Sequence, residues 1–383
     1  AGPAGLGVAA ELSRRGVPAT VLERAAEAGA SWRARYDGLR LNSARSISGI
    51  RGAPIPRSAG VFPSRDAYAD YLAACVDRLG LDVRLGVDVT RIDRRGDAYA
   101  LSMSQGELPA RRVVVAAGYD RTPHLPAWPG RDSFAGELLH AAEYRSAAPY
   151  AGRSVLVVGV GNTGTEIAAQ LVAGDAARVW VAMRTAPNIF PRQILGVPTS
   201  VLATIGRRQP GWLGDMGGRL IQRLAWGDLS RHGMPRAPMG VATELRRKGL
   251  GPVIDGGFVD ELRAGRVSLV AAVARLDGPD VVLADDSRVR PDVVIAATGY
   301  RHGLEELVGH LGVLLPSGRP TRVDGTADPS APGLHFNGYW QPLPGQLQGM
   351  RTTSRQIARA VARELRPAPV PHRRRPCARE AVA

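Results

Sequence analysis

The chain has 383 residues, of which 44% are hydrophobic and 22% charged, a composition typical of a globular protein with two or three domains. No apolar run reaches the roughly 18 residues of a membrane span, and no signal peptide is recognisable, so we expect a cytoplasmic protein without a membrane partner. The net charge of +15 comes almost entirely from arginines spread along the chain, which argues against a nucleic-acid partner. Cys75 and Cys377 form no CxxC pair, and no metal-spaced cluster is visible, so neither dithiol nor metal chemistry is expected.

The first forty residues resemble half of a dinucleotide-binding turn. Gly2 and Gly5 precede a helical pattern and a short apolar strand that ends at Glu23. Glu23 follows Gly2 by about 20 residues, the distance at which an acidic residue binds the ribose of an adenine nucleotide. We interpret Gly2 and Gly5 as the second and third glycines of a GxGxxG turn whose first β-strand is missing from the chain. The alternative is an isolated turn with a surface glutamate.

A complete GxGxxG turn lies mid-chain. The apolar strand Ser154–Val158 leads directly into Gly-Val-Gly-Asn-Thr-Gly, and a helical pattern follows. Glycines at this spacing let the backbone approach a pyrophosphate at a helix N-terminus. The predicted nucleotide contacts are Gly159, Gly161, Asn162, Thr163 and Gly164.

The next predicted strand, Arg178–Met183, indicates which nucleotide binds there. Arg184 stands where NAD-binding sites carry an acidic residue, and Thr185 follows it. An arginine suits a 2′-phosphate, so NADPH is favoured over NADH. In a chain this rich in arginine, a surface residue without function is the competing interpretation.

Two buried strands end in the same way, at Gly118-Tyr119 and at Gly299-Tyr300, which indicates two related nucleotide-binding units. Two such units in one chain imply electron transfer between a flavin and a nicotinamide, FAD at the first site and NADPH at the second. The predicted fold is α/β, with two Rossmann-like dinucleotide-binding domains of the three-layer ββα/βαβ type.

One further motif joins the two units. Phe134, Gly136, His140 and Tyr144 fit the spacing FxGxxxHxxxY. With this motif, the two glycine turns and Ala297-Thr-Gly-Tyr, the chain resembles a class B flavin-containing monooxygenase over nearly its whole length. The motif ends in Tyr144-Arg145 and not in the Trp-Pro of Baeyer–Villiger enzymes. Three other segments resemble the YUCCA-type subgroup: 190–196, 232–240 and 253–257.

The resemblance implies a reaction and the residues that serve it. NADPH reduces FAD, O₂ forms a C4a-hydroperoxyflavin, and one oxygen atom enters a small organic substrate: an amine, a thioether or a 2-oxo acid such as an indole-3-pyruvate-like compound. Asn42 is expected to stabilise the oxygenated flavin, and Trp32 and Arg33 to lie near it. His140 and Tyr144 are expected to couple the cofactor positions, in a linker between the domains. Further cofactor contacts are predicted at Val89, Gly118, Gly299, Gly338 and Leu347.

The predicted division is an FAD domain over 1–146, an NADPH domain over 147–296, the rest of the FAD domain over 297–366 and a disordered tail over 367–383. Residues 186–250, with Trp212, Met216, Leu220 and Leu224, either line the substrate pocket or pack on the sheet as an insertion. A final helix is predicted from Thr352 to Leu365, preceded by Gly349. A homodimer is possible. The alternative functions are an NADPH oxidase, a Baeyer–Villiger-type oxygenase, or a truncated, non-catalytic nucleotide-binding protein.

Overall fold

The computed structural model describes residues 1–206 and 209–365, so the predicted tail lies outside the described residues. The helices are α1 (Pro3–Ser13), α2 (Ala30–Arg33), α3 (Arg45–Ser48), α4 (Arg65–Arg78), α5 (Asn162–Ala173), α6 (Thr199–Ile205), α7 (Gly211–Trp226), α8 (Val241–Lys248), α9 (Phe258–Arg263), α10 (Glu305–Val308) and α11 (Gln346–Glu364). The strands up to the mid-chain glycine turn are β1 (Thr20–Leu22), β2 (Asp82–Arg84), β3 (Val89–Arg95), β4 (Ala98–Met103), β5 (Gly106–Ala110), β6 (Val113–Val115), β7 (Thr122–Pro123), β8 (Glu137–His140) and β9 (Ser154–Val158). The later strands are β10 (Arg178–Ala182), β11 (Ile189–Pro191), β12 (Gln193–Ile194), β13 (Val197–Pro198), β14 (Val253–Asp255), β15 (Val267–Val270), β16 (Val273–Asp277), β17 (Asp280–Leu283), β18 (Arg288–Val289), β19 (Val293–Ala296), β20 (Tyr300–Arg301) and β21 (Leu334–Phe336).

The mid-chain half is built on a five-stranded parallel sheet in the order β15-β10-β9-β19-β8. Both faces of this sheet are covered, which explains why its strands are apolar without alternation. Val155 and Val157 of β9 pack toward Ile167 of α5, while Leu156 and Val158 pack toward the antiparallel meander β16-β17-β18.

The first half contains corresponding strands in two separate pairs. β1 pairs in parallel with β2, β6 pairs in parallel with β21, and β3-β4-β5 form an antiparallel meander. In the five-stranded sheet, β9 lies between the strands that correspond to β1 and β6. A strand preceding Ala1 stays a prediction.

The first half is completed by the last helix. Val8 and Leu12 of α1 pack against Ile357 and Val361 of α11 in one buried cluster. A Cβ on Gly7 would stand 2.8 Å from Ser354 Oγ, so the glycine is what lets the two helices approach. Segments more than 300 residues apart in sequence therefore share one core.

Two expectations need correction. The last helix begins at Gln346, not Thr352, so Gly349 lies inside it. A glycine stands at this position because a Cβ would come within 2.7 Å of Trp340 O and of Pro342 Cδ. The Phe134–Tyr144 motif is not a free linker, because its centre forms β8, which pairs with β19 in the five-stranded sheet. A boundary at 146 therefore assigns one strand of the second sheet to the first domain; the other boundaries stay predictions.

Candidate functional site

A cavity of about 1100 Å³ lies between the two halves. Its wall includes the α1 turn, the ends of β1 and β6, the first turn of α5, and α6 and α7. A nucleotide site from each half thus opens on the same space.

The three glycines of the mid-chain turn have three different surroundings. Gly159 has φ of 117°, and a Cβ there would come within 2.6 Å of Ala297 O. A Cβ on Gly164 would overlap Gly159 O, so this glycine permits close packing of α5 on the strand. A Cβ on Gly161 would meet no heavy atom within 4 Å, so the open side of the turn is available to a phosphate. This pattern fits a dinucleotide pyrophosphate at the N-terminus of α5.

The first half repeats the pattern. A Cβ on Gly2 or Gly118 would meet nothing within 4 Å, and both glycines line the cavity. A Cβ on Gly5 would reach ordinary contact with Val21 and Ala116 at 3.7 Å, consistent with a helix-packing glycine. Glu23 ends β1 at the cavity wall, where its carboxylate contacts the Ala1 amine and accepts from Ala25 N at 2.9 Å. These residues fit an adenine dinucleotide, as predicted for FAD.

The other predicted cofactor contacts differ in their surroundings. Val89, at the start of β3, and Leu347, in the first turn of α11, line the cavity. Gly299 has φ of 83° and would leave open space around a Cβ. Gly338 is different, since a Cβ there would press on Met350 Cε at 3.3 Å and Ala4 Cβ at 3.4 Å, which indicates a packing role.

Asn42 joins the two halves. It lies half-buried in the loop before α3, and its Nδ2 donates to Asn162 Oδ1 at 3.1 Å. Asn162 is itself fixed, because its Oδ1 also accepts from Ile254 N at 2.9 Å and its Nδ2 donates to Pro252 O at 3.2 Å. Arg192 Nη2 donates to Asn42 Oδ1 at 3.2 Å. Both ends of the Asn42 amide are therefore held by the nucleotide-binding half.

Glu166, on α5, was not predicted as a site residue, yet it lies at the centre of this junction. Its side chain is 8% exposed and lines the cavity. Tyr36 donates its hydroxyl to Glu166 Oε2 at 2.6 Å, and Arg192 Nη2 stands 3.7 Å from Glu166 Oε1. Burial raises the pKa of Glu166 above its ordinary value, against the opposing effects of Tyr36, Arg192 and Asn42. Burial and the neighbouring carboxylate also raise the pKa of Tyr36.

Trp32 and Arg33 have different surroundings. Trp32 lines the cavity and packs edge-on against Tyr68, with ring centroids 4.7 Å apart. Arg33 instead pairs with the surface acids Glu27 at 2.9 Å and Asp70 at 2.7 Å, so its contacts do not support the predicted position near the flavin. Arg35, two residues further along, does line the cavity, and it donates to Tyr300 Oη at 3.1 Å and to Asp120 at 3.0 Å.

The Phe134–Tyr144 motif is a packing and hydrogen-bonding unit. Gly136 makes room for the Phe134 ring, which a Cβ would approach to 2.8 Å. His140 Nδ1 accepts from Ala142 N at 3.0 Å, so Nε2 carries the proton and donates to Gly299 O at 3.0 Å. Burial lowers the pKa of His140, which favours this neutral tautomer. The histidine thus ties β8 to the glycine exit after β19.

Tyr144 completes the unit at its other end. The side chain is fully buried, donates to Gln170 Oε1 of α5 at 3.1 Å and stacks on Tyr150. Burial raises the pKa of Tyr144, so the phenol stays protonated.

Arg184 and Thr185 lie just after the end of β10, beyond Met183, and are both exposed. Ala182, the last residue of β10, accepts from Gly159 N at 3.0 Å, which brings this segment beside the mid-chain turn. The pair is thus free to meet a ligand group that extends from that turn.

Parts of segments 186–206 and 209–250 line the cavity, but not through the residues singled out in the sequence. Trp212, Met216, Leu220 and Leu224 are more than half exposed on the outer face of α7. The opposite face of α7 lines the cavity, and the apolar wall comprises Phe190, Leu202, Leu213, Gly217, Ile221, Val241, Ile254 and Leu343.

Two family models match the chain. One, described as pyridine nucleotide-disulphide oxidoreductase, matches residues 1–192, and the other, described as flavin-binding monooxygenase-like, matches residues 108–308. The indole-3-pyruvate monooxygenase YUCCA1 of Oryza sativa subsp. japonica is 34% identical over 82% of this chain and 78% of its own length. The chain belongs to the flavin-binding monooxygenase-like family. It is a flavin-containing monooxygenase whose cofactors, from both matched families, are FAD and NADPH.

Other similarities agree with this assignment. A probable indole-3-pyruvate monooxygenase of Arabidopsis thaliana, YUCCA7, is 31% identical over 82% of this chain and 77% of its own length. A flavin-containing monooxygenase from Stenotrophomonas maltophilia has the same fold, with a TM-score of 0.71 at 24% identity over 94% of this chain and 95% of its own. The predicted α/β fold with two dinucleotide-binding domains is thereby confirmed. Within residues 1–206 and 209–365, no helix has the length and hydropathy to cross a bilayer.

The cluster of Glu166, Tyr36 and Arg192 could not be read from spacing alone. Glu166 lies two residues after the fingerprint, and Arg192 lies in one of the YUCCA-like segments, but their meeting depends on the tertiary fold. The signal in the sequence was a charged residue directly before the apolar run Ile167-Ala168-Ala169 of α5.

Proposed function

We propose that this monooxygenase uses NADPH and O₂ to insert one oxygen atom into a small organic substrate. The observation that carries the proposal is the Asn42–Asn162 hydrogen bond of 3.1 Å at the junction of the two halves. It joins the residue predicted to face the flavin to the turn predicted to bind the nicotinamide nucleotide. FAD, when bound, would supply the dioxygen activation.

The chain's own residues would bind, orient and exclude water. Gly2 and Gly161 would admit the two pyrophosphates, and the Asn42 amide would orient toward the flavin edge. His140 is a neutral donor already engaged with Gly299, so we assign it a positioning role and not proton transfer. The apolar wall from α6 and α7 would keep the reacting atoms away from bulk water.

The choice of NADPH over NADH rests on Arg184 and Thr185. An exposed arginine beside the glycine turn can form a bidentate, charge-assisted contact with a 2′-phosphate. The NADH ribose has no such anionic group.

The apolar wall from α6 and α7 supports a largely apolar substrate. The relatives at 31–34% identity are named as indole-3-pyruvate monooxygenases. We therefore propose an aryl 2-oxo acid as the first substrate class to test, ahead of amines and thioethers. A homodimer and a cytoplasmic location stay predictions from sequence.

The test uses the FAD-loaded full chain, with NADPH oxidation, O₂ uptake and H₂O₂ release followed together. We expect substrate to lower the peroxide released per NADPH consumed and to yield an oxygenated product. An unchanged yield of one peroxide per NADPH with every aryl 2-oxo acid, amine and thioether would instead identify an NADPH oxidase.

A further inference from the structure

The carboxyl of Glu166 is the best-buried charged group at the cavity wall, and the reaction proposed above does not use it. Its Oε1 and the nearby Arg192 Nε have no hydrogen-bond partner among residues 1–206 and 209–365. Removing such groups from water costs free energy that a purely structural role would not require. A function that needs both groups in place would account for this cost.

The contacts around Glu166 form a continuous path across the domain junction. Glu166 faces Arg192, and Arg192 donates to Asn42. Asn42 donates to Asn162, which begins the same helix that carries Glu166. The path is thus a closed ring that begins and ends on α5 and includes one residue from the flavin-binding half.

Arg192 has few other partners among the described residues. Its guanidinium stands over the Phe62 ring, 5.5 Å from the centroid, a contact that does not direct its N–H groups. The remaining polar contacts are to Glu166 and Asn42. The Glu166 carboxylate is therefore the group that can direct Arg192 toward Asn42.

We propose that Glu166 is a positioning residue that holds the Arg192 guanidinium, through which it orients Asn42 and couples Asn42 to the nucleotide-binding turn at Asn162. This inference rests on the proposed function only in treating Asn42 as the flavin-facing residue. The coupling itself is a property of binding and is reciprocal.

The charge state of Glu166 then affects nucleotide binding. The titratable and charged groups that face its carboxyl are Tyr36 from the loop after α2, Arg192 from the β11–β12 segment and Asp255 from β14. When the carboxylate takes a proton, Arg192 loses its counterion and Asn42 its fixed orientation. Nucleotide affinity should therefore fall as the pH falls through the pKa of Glu166.

The experiment measures the Kd of NADP⁺ by calorimetry for the FAD-loaded full chain and for Glu166→Gln, over a pH series that starts near the ordinary carboxyl value of 4.5 and extends to about pH 8. Glutamine keeps the volume and can still accept from Tyr36, but it carries no charge. We expect the ratio of the two Kd values to be roughly fivefold at the upper pH and to approach one at the lower pH. Titration of the 2′-phosphate is common to both proteins and cancels in the ratio. A ratio that is constant with pH, or equal to one throughout, would overturn the proposal.

A double-mutant cycle tests the path. In an Asn42→Ala background, Glu166→Gln should cause no further loss of affinity, whereas additive losses would show that Glu166 does not act through Asn42. Arg192→Lys should reproduce the Glu166→Gln effect, which keeps the proposal testable if one variant folds poorly.

The matched control is Glu11→Gln. Glu11 is also a buried glutamate, 2% exposed and paired with Arg15 at 2.8 Å, but it lies on α1 and does not line the cavity. It should leave the Kd of NADP⁺ unchanged at every pH. Because the readout is affinity, a coupled ring in a protein that oxygenates nothing would overturn the proposed function and leave this inference standing.

Discussion

Two buried glutamates show how neighbours decide the behaviour of a charge. Burial raises the pKa of Glu11, but the Arg15 hydrogen bond and the charges of Arg51, Arg15 and Arg14 outweigh it, so the net shift is downward. At Glu166, burial outweighs Tyr36 and Arg192, and the net shift is upward. The number of close cations, together with burial, therefore decides whether a buried carboxylate stabilises or destabilises the folded state.

The opposite shifts predict opposite effects of pH on stability. The raised pKa of Glu166 means that its contribution is present below its ordinary value of 4.5 and is lost as the pH rises through the folded-state pKa. Glu166→Gln should therefore gain stability relative to the unmodified protein as the pH rises. Glu11 has a lowered pKa and contributes above 4.5, so Glu11→Gln should be the less stable protein at neutral pH. Urea unfolding over a pH series checks both, and parallel curves for the two variants would contradict the assignment.

A second prediction at this scale concerns Arg184. Arg184→Ala should raise the KM for NADPH roughly tenfold or more, the loss of one charge-assisted contact, and leave the KM for NADH unchanged. Arg178 is the matched control, since it begins β10, the strand that precedes Arg184, and its guanidinium lies 4.7 Å from the centroid of the Trp180 ring. Arg178→Ala should change neither value. If Arg184→Ala raised the KM for NADPH and for NADH equally, the interpretation that Arg184 binds the 2′-phosphate would be wrong.

Among the elements, α7 is held at both ends by hydrogen bonds, while its inner face has room for a larger side chain at one glycine. Asp215 accepts from Ala242 N at 2.7 Å and Thr243 N at 3.1 Å, and so caps α8. Trp226 donates to Ile189 O at 3.1 Å at the other end. Between these ties, a Cβ on Gly218 would contact Val241 at 3.0 Å, but a Cβ on Gly217 would meet nothing within 4 Å. Gly217 is thus a helix glycine that packing does not require.

We therefore expect Gly217 to set the size of the substrate that the cavity accepts. Gly217→Ala should raise the free energy of unfolding by up to about 1 kcal/mol, because alanine favours the helix. Gly217→Leu should raise the KM for a bulky aryl substrate more than for a small thioether, because its side chain extends into the cavity. Gly218→Ala should not raise the free energy of unfolding, because the new Cβ would press on the Val241 side chain. Equal KM changes for large and small substrates would place Gly217 outside the pocket.

The elements that sequence predicted well are those set by local rules. Both glycine turns could be predicted, because tight turning, phosphate approach and helix packing each leave a glycine at a fixed spacing. The start of α11 could not, because Gly349 serves a tertiary contact with Trp340 and Pro342 that a sequence pattern does not encode. The inner face of α7 was missed for the same reason: Trp212, Met216, Leu220 and Leu224 point outward, whereas Gly217 lines the cavity. The contacts among Asn42, Asn162 and Arg192 bring together three distant segments, so spacing carries no signal for them.

At the scale of the whole molecule, the two halves differ in continuity. The five-stranded sheet is drawn from residues 137–296, an unbroken part of the chain. The first half combines residues from both sides of that stretch. Asn337 secures the join, since its buried Nδ2 donates to Ala4 O at 3.0 Å and to Ser354 Oγ at 2.9 Å.

Asn337→Ala should therefore destabilise the first half selectively, by about 1–3 kcal/mol, the cost of losing buried hydrogen bonds. Flavin release, followed by its fluorescence on heating, should occur at a lower temperature than in the unmodified protein. Ser133→Ala removes an exposed loop hydrogen bond to Gly130 and serves as the control with no expected shift. Unchanged flavin release in Asn337→Ala would mean that the join does not limit the stability of that half.

The packing of α1 against α11 also bears on how the protein is made. On the ribosome, α1 emerges more than 300 residues before α11, the helix that covers it. The continuous half can fold while synthesis is still under way, because domains generally fold as units during elongation. Nascent chains stalled before Gln346 should consequently bind a nicotinamide nucleotide and remain colourless, so that flavin acquisition becomes a step that follows translation.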